Sequence, residues 1–90
     1  MKLDGRFIKV VNNEENSRFE VRIGMQLARI DYRLREGKIY FLHTEVPDDL
    51  KGQGIASKMA KRALEYAEKE QLEVVAWCPF VAAYIKRQQG

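Results

Sequence analysis

A single cysteine, Cys78, is all this 90-residue chain offers for disulfide chemistry. No internal disulfide can form, and a lone thiol suits a reducing compartment. Apolar runs are short. Nothing approaches the roughly 20 consecutive apolar residues that span a bilayer, and the opening residues Met1, Lys2, Leu3, Asp4 and Gly5 lack an apolar signal-peptide centre. A cytoplasmic protein with no membrane partner is expected. Charge of one sign is scarce too: 16 basic against 13 acidic side chains leave a net charge of +3. That balance favours an anionic ligand only softly. There is no basic run interleaved with aromatics, no zinc-ligand spacing and no RNA-recognition motif, so neither nucleic acid nor a bound metal is expected. Internal repeats, low-complexity segments and linkers are missing as well, which predicts one domain over residues 1–90. With 46% hydrophobic and 32% charged residues, the composition is that of a small globular fold.

The hydrophobic pattern predicts an antiparallel meander first. Residues 7–11 are β-rich, and residues 12–17 carry turn chemistry. Phe19, Val21 and Ile23 then alternate with Glu20 and Arg22 as on a half-buried strand, and Gly24 marks a turn. Ala28, Ile30, Tyr32 and Leu34 share a face opposite Arg29, Asp31, Arg33 and Arg35. After the turn at residues 36–38, residues 39–46 read as a fourth strand, apolar on both faces and so expected to be covered twice. Ile39, Phe41, His43 and Glu45 fall on one face and Tyr40, Leu42, Thr44 and Val46 on the other, unless a bulge shifts the register near the end.

The period turns helical over residues 54–69, with Ile55, Met59, Ala63 and Ala67 stacked at four-residue intervals. A strand follows at residues 74–78, its ladder ended by Pro79, and then a short helix over residues 80–87. Strand, helix, strand in that order places the last strand parallel to the fourth through a crossover. The fold class is a small α+β, mixed α/β, domain: a meander, then strand, loop, helix and parallel strand, then a short C-terminal helix.

The segment joining the fourth strand to the long helix is the most informative. Gly52 and Gly54 permit positive φ and let a ligand approach the backbone, and the amides opening the helix face outward. This is a seat for phosphate. A dinucleotide-binding turn would place a third glycine where Ser57 stands and would open a parallel sheet. A P-loop would run Gly-Lys-Ser/Thr after its spacer. Neither pattern is present.

Lys51-Gly52-Gln53-Gly54-Ile55-Ala56 instead resembles the pyrophosphate loop of the GCN5-related N-acetyltransferases, Arg/Gln-x-x-Gly-x-Gly/Ala, with lysine replacing the first residue. The element order also resembles that family over about residues 7–87. His43, Thr44, Val46 and Pro47 form a His-Thr-x-Val-Pro stretch, and Cys78, Pro79, Phe80 and Val81 a Cys-Pro-Phe-Val stretch. Both resemble the family's minimal, NATD1-like single-domain members. The resemblance implies acetyl-CoA as cofactor. Its pantetheine would pair like an extra strand with Thr44, Glu45 and Val46, and its pyrophosphate would sit on Lys51, Gly52, Gln53, Gly54, Ile55, Ala56 and Ser57. Lys58, Lys61 and Arg62 are either further cations for phosphate or a solvated basic face of the helix.

Acetyl transfer to a primary amine needs a neutral nucleophile, a polarised thioester carbonyl and a proton for the departing thiolate. A backbone N–H freed by a bulge near Val46 would polarise the carbonyl. Tyr84 stands where the resemblance implies a proton donor to the thiolate; read structurally, it anchors the last helix. Cys78 is either a small core residue or a thiol that takes the acetyl group or assists the thiolate. His43 is a base or a histidine satisfied by backbone partners. Glu45 is a second base or a solvated strand-end carboxylate. The acceptor is a small amine, a polyamine or a protein lysine, and the protein a monomer or weak homodimer. The competing reading is a non-catalytic module that binds coenzyme A or an acyl-CoA.

Overall fold

The computed structural model describes residues 8–89. Among the described residues, five strands form one sheet in sequence order: β1 (Val11–Asn13), β2 (Arg18–Ile23), β3 (Gln26–Arg35), β4 (Lys38–Glu45) and β5 (Glu73–Ala76). The first four run antiparallel, and β5 lies parallel to β4. Helix α1 (Ile55–Lys69) makes the crossover between β4 and β5, and α2 (Pro79–Gln89) follows β5. The expected mixed sheet and the parallel pair are therefore present.

Alternation in β2 and β3 sets up the core. Phe19, Val21, Ala28, Ile30 and Tyr32 are buried and face Ile55, Met59, Ala60, Ala63 and Ala67 of α1, with Ile39 and Phe41 of β4 beside them. Alanines at three of these α1 positions let the helix lie close to the sheet, and burying a side chain the size of Phe41 contributes about 2–3 kcal/mol. Val81 and Phe80 seat α2 on the same core. Tyr32 reaches the core's edge, where its hydroxyl donates to Asn12 Oδ1 at 2.7 Å.

Several boundaries differ from expectation. The first strand is Val11–Asn13 rather than 7–11, of which residue 7 lies outside the described residues. Asn12 and Asn13 pair with Phe19 and Arg18, and the turn contracts to a 3-10 turn over Glu14–Asn16 plus Ser17. Its asparagines act locally: Asn13 Oδ1 accepts from the Asn16 N–H. At the other end β5 stops at Ala76, and Pro79 does not end its ladder but opens α2, where its missing N–H costs nothing. Helix α2 also extends beyond residue 87, through Gln88 and Gln89.

The fourth strand is covered on one face only. Both helices lie on the side of Ile39 and Phe41, while on the other side Leu42 and Trp77 remain 37% and 67% exposed. Its apolar residues on the second face thus form an open surface rather than a second core.

A bulge divides β4. Tyr32 pairs with Phe41 but Asp31 pairs with His43, leaving Leu42 as the extra residue. Without it His43 would lie opposite Ile30, which is fully buried, and an imidazole there would be desolvated without a partner. With it Thr44 takes that position. The conditional parity therefore resolves toward the bulge: Thr44 joins the face of Ile39 and Phe41, and His43 and Glu45 move to the open face beside Asp31 and Arg29.

Candidate active site

The end of β4 is where the sheet splays. β5 pairs with Lys38, Ile39, Tyr40 and Phe41 and then leaves, its last contacts being the N–H groups of Trp77 and Cys78, which both donate to the Phe41 carbonyl at 3.0 and 2.9 Å. β3 continues alongside His43, Thr44 and Glu45. Beyond Phe41, then, no described strand pairs with the β5 side of β4. That edge is open to an extended ligand.

Into this break the helix face presents Thr44 and Cys78. Thr44 Oγ1 and Cys78 Sγ are 2.9 Å apart, and either can donate. Cys78 is 2% exposed. It is thus both a core residue and part of a polar pair at the splay, because the bulge turns Thr44 inward to meet it. On the open face His43 makes no hydrogen bond or ion pair with another described residue. Glu45 is differently placed: Arg29 Nη1 donates to its carboxylate, and Arg29 Nε also bonds Asp31 at 3.1 Å. Partial burial lowers the Arg29 pKa, but its bonds to Glu45 and Asp31 outweigh this and hold it above its usual value. Glu45 is therefore an ion-paired carboxylate. The sequence pattern marks Arg29 and Asp31 only as the solvent face of β3; their place opposite Glu45 and His43 follows from the register.

From Val46 the chain turns through Pro47 into a 3-10 turn over Asp48–Leu50. Leu50, 6% exposed, pins that turn to the core. Lys51 Nζ pairs with Asp48 Oδ1 at 2.9 Å. The bond raises the Lys51 pKa and lowers that of Asp48, so both groups remain charged. Gly52 and Gly54 then adopt φ +80° and +78°, with open space where a Cβ would stand. Gly54 caps α1 without any side-chain hydrogen bond, and no acidic residue lies in the first turn. The amides of Ile55, Ala56 and Ser57 accordingly lack intrahelical partners and an internal counter-charge. Gln53 leans back, its Nε2 donating to the Asp49 carbonyl at 3.4 Å.

Two cavities follow this path. One of about 250 Å³ is lined by Val46, Leu50, Lys51, Gly52, Gly54, Ile55, Ala56, Ser57 and Phe80. Another of about 430 Å³ is lined by Leu27, His43, Thr44, Glu45, Val46, Pro47, Asp48 and Lys51. Val46 and Lys51 border both. The candidate cofactor-binding residues thus line two adjoining spaces, apart from Gln53. Phe80, in the first turn of α2, completes this lining and is a site residue that the sequence pattern does not single out. Tyr84 is elsewhere in the lining. It borders a groove between α1 and α2 with Lys61, Leu64, Glu65, Glu68 and Gln88, and its ring lies 5.8 Å from the Arg87 guanidinium carbon. Lys58 and Arg62 are exposed on α1.

A diphosphate fits the donor set: left-handed glycines with free space beside them, an uncapped helix start and a lysine, with no carboxylate in the first turn of α1. Among the described residues there is no cluster of three or more metal-ligating side chains.

Comparison with known proteins agrees with this geometry. The family model for GCN5-related N-acetyl-transferase matches residues 18–90. Protein NATD1 of Mus musculus is 34% identical over 82 residues, covering 88% of this chain and 74% of that protein. Protein NATD1 of Homo sapiens is 34% identical over 82 residues, covering 88% of this chain and 73% of that protein. With a splayed parallel pair, a glycine loop opening the crossover helix, and a family match over most of its length, this chain belongs to the GCN5-related N-acetyltransferase family and is NATD1-like.

Proposed function

We propose that this protein transfers acetyl from acetyl-CoA to a primary amine by direct attack at the thioester, in a cytoplasmic, reducing setting that keeps Cys78 a free thiol. The observation that carries this reading is the adjacency of the open β4 edge and the uncapped glycine loop, joined through Val46 and Lys51. When bound, acetyl-CoA supplies an activated acyl group. The amides of Gly54, Ile55, Ala56 and Ser57, with Gly52 and Lys51, hold the diphosphate. The backbone at Thr44, Glu45 and Val46 orients the pantetheine arm as an added strand. The bulge falls at Leu42 rather than near Val46, so a backbone N–H on the unpaired edge of β4 beyond Leu42 would be the group to polarise the carbonyl, with no demand on a side chain.

Acid and base duties fall to few groups. His43, on the open face and without a partner among the described residues, takes the proton from the amine. The Thr44–Cys78 pair holds a proton between Oγ1 and Sγ at the break, where a leaving group can take it. Glu45 is held by Arg29 beside His43. Tyr84 lines the groove between the helices and neither cavity along the β4 edge, so no role at the leaving group is given to it.

Free-thiol release from acetyl-CoA in the presence of a panel of primary amines tests this. Release above buffer with at least one amine is expected, together with a rise in melting temperature on adding acetyl-CoA. A rise in melting temperature without release would leave only a binding module, and neither effect would remove coenzyme A from the picture.

A further inference from the structure

The open face of the sheet carries a cavity of about 520 Å³ that the steps above do not use, lined by Arg33, Arg35, Glu36, Tyr40, Leu42 and Trp77. Its floor is apolar. The Trp77 ring lies 5.1 Å from that of Tyr40, inclined at 59°, and Trp77 is 67% exposed. An indole this exposed, packed at a tilt against a second aromatic beside an exposed leucine, forms a surface that water solvates poorly. The size falls within the usual range of small-ligand sites.

Its charge is equally specific. Arg33 and Arg35 sit two residues apart on one face of β3, opposite Tyr40 and Lys38 of β4. Both are exposed, and neither forms an ion pair with a described residue. Arg18, Arg29, Lys38 and Lys51 are each matched with a carboxylate, whereas Arg33 and Arg35, like Arg22, Lys58 and Arg62 elsewhere on the surface, are not. Glu36 is the one acidic side chain in the lining, so the cavity is net positive.

Position ties this cavity to the break. Trp77 directly precedes Cys78, and the N–H groups of both donate to Phe41. Trp77 turns to the open face while Cys78 turns to Thr44, and Leu42 is the bulge residue itself. The cavity therefore reaches the splay from the side opposite the helices. From Leu42 to the register of Tyr40 and Arg33 is two residues, about 7 Å along a strand.

We infer that this cavity is the acceptor pocket, and that its acceptor is a small primary amine with a flat apolar body and an anionic group about 7 Å from the nitrogen, the amine at Leu42 and Trp77 and the anion at Arg33 and Arg35. The inference rests on the acetyl-transfer reading. In the reaction the C–N bond forms and the C–S bond breaks; the nitrogen loses one proton and the thiolate gains one, with no change of oxidation state. Two unpaired arginines select against polyamines.

Trp77 is the chain's one tryptophan, so its emission reports this pocket alone. Titration with para-(aminomethyl)benzoate is expected to quench it saturably and with about tenfold or greater preference over benzylamine, with spermidine weakest. A double Arg33→Gln, Arg35→Gln variant should abolish the preference while leaving benzylamine binding and the melting shift with acetyl-CoA unchanged. Glu36→Gln should tighten the benzoate. In thiol release, kcat/KM should follow the same order. Equal quenching by the acid and by benzylamine, tighter spermidine, or a double variant like wild type would overturn the pocket assignment. Thiol release from every amine alike with no change in Trp77 emission overturns it too, yet leaves acetyl transfer standing. Tight benzoate binding with no thiol release from any amine overturns acetyl transfer, and the acceptor role with it.

Discussion

Gly54→Ala separates what the glycine loop does for the fold from what it does for a ligand. Gly54 holds φ +78°, and an added Cβ meets nothing within 4 Å. The ligand-free cost is therefore backbone strain alone, about 1–2 kcal/mol for an L-residue in the left-handed region. For a domain of this size each kcal/mol lowers the melting temperature by about 4–8 °C. Gly37 supplies the control. It holds φ +76° in the β3–β4 turn with equally open surroundings, far along the chain from the loop. Gly37→Ala should cost the same stability. The two should part company once coenzyme A is added. In the proposed site, a methyl on Gly54 would occupy space that a phosphate oxygen would need beside the Ile55 and Ala56 amides. Losing one charge-assisted hydrogen bond, about 1.5–3 kcal/mol, weakens binding by about tenfold or more. Calorimetric titration of each folded variant with coenzyme A measures this. Unchanged affinity in Gly54→Ala, or an equal loss in Gly37→Ala, would refute the reasoning.

Other expectations follow from packing and charge. Phe41→Ala empties the centre of the core, where Phe41 is fully buried, and should cost about 3–5 kcal/mol in urea unfolding; a cost under 1 kcal/mol would contradict that placement. Thr44→Val removes the Cys78 partner and should lower stability by about 1 kcal/mol; in Thr44→Ala a thiol reagent should label Cys78 faster than in wild type, where labelling awaits local opening. Arg29→Ala frees the Glu45 carboxylate, and because the pair is largely solvated stability should fall by no more than about 1 kcal/mol. Burial raises the pKa of Tyr32 and of Tyr66 above the usual 10.0, helped for Tyr66 by the nearby Glu14 carboxylate. Both phenols thus keep protons that the unfolded chain gives up, so their contribution is complete below pH 10.0 and is lost as pH rises through the folded values. Alkaline urea titrations should show the midpoint falling above that pH; a constant midpoint would contradict it.

The elements that period alone could place were legible in the sequence. β2 and β3 alternate cleanly, and Ile55, Met59, Ala63 and Ala67 mark α1, because each buries one face against one partner. The glycine loop was legible because φ near +80° at Gly52 and Gly54 leaves few other residues possible. What escaped the pattern was long-range. The position of the bulge depends on which β4 residue meets Ile30, so the parity of His43, Thr44 and Glu45 stayed conditional until the pairing was known. The pairing of Arg29 with Glu45 needs the same register. Leu42 reads as a strand residue facing a second layer, since apolar character says that a face avoids water and not what covers it. The first strand shifted because Asn12 and Asn13, turn formers by type, pair at the sheet edge with Phe19 and Arg18.

Amide chemical shifts of the labelled protein, followed as coenzyme A is added, test the placement of the site most directly. The largest changes should come from Thr44, Glu45, Val46 and the run from Gly52 to Ser57, with Trp77, Cys78 and Phe80 next. The turn at Gly37 and strands β1 and β2 should stay still. Saturable shifts centred elsewhere, with Gly52, Gly54, Ile55 and Ala56 unmoved, would contradict the assignment of the β4 edge and its glycine loop as the coenzyme A site.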